Sequence, residues 1–104
     1  MEQNELIVTE LKKQTEYGNR LLVDTFYSSS RESISNYYNI PLYEADQIVN
    51  YAFLKVITKI DNFEYMSESG FNSWVKTTVF NSARDYLRKK ILIRKTNKIL
   101  ELKK

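Results

Sequence analysis

Five side chains near the C-terminal end recur at three- and four-residue spacing: Thr77, Phe80, Asn81, Arg84 and Arg88, with Lys89 beside the last. On a helix this spacing puts Thr77, Asn81, Arg84 and Arg88 on one face, with Phe80 at its edge. The chemistry of the set is recognition. Guanidinium groups hold phosphates through paired hydrogen bonds. An aromatic ring gives an unpaired base a surface to stack on. An asparagine amide meets a base edge with a donor and an acceptor at once. Such a stripe suits single-stranded or unpaired nucleotides better than intact duplex. The same residues also fit a plainer description, with Phe80 in the core and the others on a solvated surface, and spacing alone leaves both open.

Catalysis lacks its usual parts. The chain has no histidine and no cysteine, which removes the commonest general base, the thiol nucleophile and the commonest metal ligands. Ser28-Ser29-Ser30 therefore has no histidine partner. Glu44 and Asp46 lie two apart and do not share a helix face. There is no glycine-rich phosphate loop. The chain reads as a non-enzyme that calls for no cofactor and no metal.

Charge supports a polyanion partner. From Arg84 to Lys104 nine basic residues stand against two acidic ones, a net +7, whereas residues 1–83 carry a net −4. A basic end on an acidic body is the electrostatic footprint of a nucleic-acid binder, although a lysine-rich tail kept for solubility has the same composition. No apolar run approaches the roughly 20 residues needed to cross a bilayer. The start, Met1-Glu2-Gln3-Asn4-Glu5, is too acidic for a signal peptide, so the cytoplasm is the expected compartment and no membrane partner is expected.

The elements that must position these residues are helices. With 104 residues, two glycines and one proline, the chain fits one domain with few connections, an all-α compact bundle of three to four helices. One helical stretch is expected from about Asn4 to Tyr38, broken or kinked at Gly18, with Ser28-Ser29-Ser30 a second weak point. Asn39-Ile40-Pro41 ends it. A second helix follows to Ile60, with Ala45, Ile48, Val49, Ala52, Phe53, Val56 and Ile60 as its apolar stripe. Residues 61–70 form a polar loop carrying Phe63 and Tyr65. These two rings could wall a base pocket, although Phe63 fits better tucked beneath the loop. Ser67, Ser69 and Gly70 suit a helix start. The third helix runs from Phe71 to at least Lys90, with Phe71, Trp74, Val75, Thr78, Ser82 and Tyr86 as its core face. Ile91-Leu92-Ile93 and Lys98-Ile99-Leu100 either continue it or form a fourth helix.

The run Ala45-Asp46-Gln47-Ile48-Val49-Asn50-Tyr51-Ala52-Phe53-Leu54-Lys55-Val56 is similar to A-E-D-L-V-Q-E-x-F-L-K-V. Phe71-Asn72-Ser73-Trp74-Val75 is similar to F-x-x-W-L, and Asn81 to Lys90 to N-x-x-x-D-x-L-R-x-x. Together they resemble region two of bacterial sigma-70 family factors, most like the extracytoplasmic-function (ECF) group, over roughly Leu21 to Lys90. Residues 91–104 form a basic end beyond it. The resemblance implies that Asp46, Gln47, Asn50 and Tyr51 face the clamp helices of core RNA polymerase. It implies that Thr77, Phe80, Asn81, Arg84 and Arg88, with Lys89, face promoter DNA, where the third helix and the loop before it capture flipped bases of the −10 element on the non-template strand. Tyr65 and its loop would close over a base. Gln47, Asn50 and Tyr51 stand where the family pattern has D, Q and E, so two acids are missing from the implied polymerase face. The −35-reading region four is absent. Either the domain comes from a longer factor or a separate protein supplies region four; an anti-sigma factor is a further partner class the resemblance brings.

Overall fold

The computed structural model describes residues 1–102, and the regular elements among them are all helical. They are α1 (Gln3–Lys12), α2 (Glu16–Tyr38), α3 (Leu42–Lys59), a 3-10 turn (Ile60–Asn62) and α4 (Glu68–Leu102). The expected all-α bundle is what forms. No helix among the described residues is long and apolar enough to cross a membrane.

The first expected stretch is two helices, and the break is not at Gly18. It falls at Lys13–Thr15, where Gln14 takes a left-handed φ of 61°. Thr15 then caps α2, its hydroxyl accepting the Gly18 N–H at 3.0 Å. Gly18 sits inside the first turn of α2 for a different reason. A Cβ there would stand 2.8 Å from the backbone of Glu10 and Leu11. Glycine at 18 lets the two helix backbones cross at close range. Nor is Ser28-Ser29-Ser30 a break, because α2 runs straight through it. Burial of Leu22 and Ile34 on either side outweighs the weak helix propensity of serine. Asn39, left-handed with φ 53°, ends α2, and Pro41 opens α3.

The α3 stripe is buried as its spacing requires, from Ala45 to Ile60. Against it pack Ile7, Val8 and Leu11 of α1, Leu22 and Ile34 of α2, and α4. On α4 the buried residues are Phe71, Val75, Val79, Ser82 and Ala83. The core face is therefore rotated from the expected one: Val79 and Ala83 belong to it, while Trp74, Thr78 and Tyr86 are only half-buried. Ser82 is tolerated there because its hydroxyl donates to the Thr78 carbonyl at 2.8 Å.

Of the two expected outcomes for residues 91–100, continuation is observed. α4 is one helix to Leu102, and from Ile91 onward every described residue is exposed. The molecule is correspondingly long, 62 × 25 × 22 Å. Lys103 and Lys104, counted in the basic end, lie outside the described residues. The last tie between α4 and the bundle is an ion pair of Lys90 with the buried Glu44 of α3, beside a Tyr86 hydroxyl donating to Glu44 at 3.4 Å.

Candidate nucleic-acid interface

The buried set on α4 fixes what its opposite side offers. Thr77, Asn81, Arg84 and Arg88 are exposed and in line along the outer face; Lys89, also exposed, is turned about 100° from that line, beside Tyr86, Lys90 and Ile93. Arg84 donates to the side-chain oxygen of Asn81, so guanidinium and amide are held as one unit. Arg88 lies 3.9 Å from Asp85, which is also 3.9 Å from Lys55 of α3. These pairs reach solvent and contribute little to stability, and the Arg88 guanidinium stays available to a phosphate.

Phe80 stands apart from the rest of the stripe. It is half-buried, its ring edge-on to Tyr37 at 5.4 Å and tilted against Tyr38 at 6.3 Å. It is a wall of the interface rather than a free stacking platform. The exposed ring of that cluster is Tyr37, 72% accessible at the end of α2. Nothing in the local sequence around Tyr37 signals this, because the contact joins two helices. Beside Phe80, a cleft of about 230 Å³ opens between α2 and α4, lined by Ser29, Ser30, Ser33, Asn72 and Lys76 over an apolar floor. Further along, Tyr38, Leu87, Ile91 and Leu92 floor a wider groove rimmed by Arg84, Arg88 and Lys95.

The loop rings divide. Phe63 tucks under the loop, its centroid 4.6 Å from Trp74 and 5.5 Å from Phe71. Tyr65 is half-buried, and its hydroxyl donates to Glu2 at 2.6 Å with Glu68 at 3.3 Å. Loss of solvent first, and then the two carboxylates, hold the Tyr65 phenol well above its ordinary range, so it remains protonated.

On α3 the four residues of the implied polymerase face are not equivalent. Asp46 is turned toward α2, accepting from the Tyr27 hydroxyl at 2.8 Å and lying 3.7 Å from Arg31. Gln47 is exposed and accepts from Tyr86 at 3.2 Å. Asn50 is exposed, and Tyr51 is half accessible with Lys55 4.6 Å above its ring. Tyr43 and Leu54, 68% and 58% accessible, extend this outer row at helical spacing. Neither belongs to the set expected from the sequence, although their spacing from Gln47 and Asn50 puts them on the same helix face.

Compared with models of known families, the chain matches Sigma-70 region 2 over residues 27–91. The chain belongs to the sigma-70 region 2 family. It thus carries the domain of a transcription-initiation factor, and the family is not one of enzymes. No curated protein and no solved structure gives a match. The sigma-70 region 2 segment begins within α2 and takes in α3, the loop and α4 as far as Ile91, where α4 leaves the bundle. α1 and the first turns of α2 lie before it. The stripe, the outer row of α3 and the loop all fall inside it.

Proposed function

We propose that this sigma region 2 domain, of the ECF type, docks on core RNA polymerase through the outer face of α3 and holds unpaired −10 bases on α4. The single observation that carries the DNA half is the exposed Thr77–Asn81–Arg84–Arg88 row, set beside the Phe80–Tyr37 wall. Bonded to one another, Asn81 and Arg84 offer a base edge and a phosphate together. A base leaving its duplex meets aromatic edges and polar side chains, and binding it offsets part of the unpairing cost. Lysines and arginines after Lys89 follow the phosphates, adding affinity that falls with salt.

The polymerase half rests on Gln47, Asn50 and Tyr51, with Tyr43 and Leu54 now added to the row. Asp46 supports that face from behind, by holding α3 to α2 through Tyr27 and Arg31. The semi-apolar character of the row suits a helical partner surface. Residues 1–104 act as one domain. Retention of core polymerase on the immobilised chain tests the docking: Leu54→Glu with Tyr51→Glu abolishes retention if α3 is the face. Retention equal to the unsubstituted chain contradicts it.

A further inference from the structure

Glu68 serves two helices at once. It lies in the first turn of α4, where a carboxylate is favoured by the helix dipole. Its side chain, however, reaches α1. Glu2, the N-cap residue of α1, makes no side-chain capping bond of its own. The Asn4 backbone N–H, a first-turn donor that a helix leaves unpaired, donates to Glu68 Oε1 at 2.8 Å. The Asn4 side chain, only 3% accessible, donates to the Glu68 carbonyl at 3.0 Å and to Asn72 Oδ1 at 2.9 Å. The Tyr65 hydroxyl is shared between Glu2 and Glu68. Residues 63–67, which have no regular structure, are thereby tied at Tyr65 and at the adjoining Glu68 to the start of α1.

α1 is a fixed reference for that tie. Ile7, Val8 and Leu11 sit in the core, and the Gly18 crossing locks its other end to α2. The loop belongs to the matched sigma segment, whereas α1 precedes it. We propose that α1 sets the loop of residues 63–67 in the shape that meets DNA, and that Asn4 and Glu68 are the positioning residues through which it acts. Both work through the loop: Asn4 is buried, and the Glu68 carboxylate is turned to α1. Tyr65 is left to offer its ring, because its hydroxyl is committed to carboxylates. The inference rests on the reading of α4 and its loop as the DNA interface.

The test uses the full chain with two readouts, amide exchange over residues 63–68 and titration with an unpaired oligonucleotide. Asn4→Ala removes both side-chain hydrogen bonds of Asn4; it speeds exchange in the loop and weakens strand binding, each by about tenfold or more. The salt slope of binding stays unchanged, since no phosphate contact is lost. Asn4→Asp, which sets a carboxylate against the Glu68 carbonyl and the Asn72 amide oxygen, gives the same two changes. Faster loop exchange with strand affinity unchanged overturns the proposal, because α1 would then support the fold alone. Absence of a single-strand preference in the unsubstituted chain would instead count against the base-reading itself.

Discussion

The two halves of α4 carry the same sign of charge and the same helical backbone, yet they differ in what holds them. Between Phe71 and Lys90 the helix has a buried side, a half-buried flank and an outer row of polar groups. Beyond Ile91 every described residue is exposed, including Leu92, Ile93 and Leu100. In the first half, tertiary packing fixes the rotation of the helix, and so fixes which way Asn81 and Arg84 point. In the second, charge is present with no core packing behind it. Positive charge suffices for phosphates, whereas discrimination among bases needs side chains of set orientation. Under the proposed function, base reading falls to the packed half and phosphate following to the projecting one.

Substitutions can break that contrast, beginning with stability. Phe71 is fully buried against Phe26, Phe63 and Trp74. Phe71→Ala is expected to lower unfolding free energy by about 3–5 kcal/mol in urea titration, and Leu92→Ala by less than about 0.5 kcal/mol. A large loss at Leu92 would show that the projecting half packs against something in solution. Gly18→Ala comes next, at about 1–3 kcal/mol, because its methyl group meets the α1 backbone. Trp74→Ala belongs nearby, at about 1.5–3 kcal/mol, below what a fully buried tryptophan would give.

Much of this was legible in the sequence, for a definable reason. α3 has one unbroken apolar stripe, so its burial followed from spacing alone. The α4 stripe is noisier: Thr78 and Ser82 look alike in the pattern, but only Ser82 is buried. That ambiguity turned the expected core face away from Val79 and Ala83. The helix break was misplaced because glycine marks close approach as readily as a turn. What no local pattern could supply were contacts across distant segments. Phe80 meets Tyr37 from another helix, and Tyr65 meets Glu2 from across 63 residues of chain. Both alter how a candidate DNA residue can be used. Asp46, expected outward, is drawn to Tyr27 and Arg31 by the same kind of long-range pairing.

A smaller effect sharpens the packing account through pH. Burial first, and then the hydrogen bond to Asp46, raise the Tyr27 phenol above its ordinary value near 10. A phenol raised in the folded state contributes stability that is present below the unfolded value and lost as pH climbs through the folded one. Stability is therefore expected to fall above about pH 10, and less steeply in Tyr27→Phe. An identical alkaline profile for the two proteins would remove Tyr27 from the α2–α3 contact.

The most direct measurement is titration of one single-stranded −10-like oligonucleotide and its duplex against three proteins: the unsubstituted chain, Asn81→Ala/Arg84→Ala and Lys95→Ala/Lys98→Ala. The unsubstituted chain should prefer the single strand. The first double variant should lose that preference with a fall of about tenfold or more in affinity. The second should keep the preference while its salt slope becomes shallower, by about 0.7 for each phosphate contact removed. Equal or tighter duplex binding by the unsubstituted chain, or a preference that survives in Asn81→Ala/Arg84→Ala, would contradict the assignment of base reading to the packed half of α4.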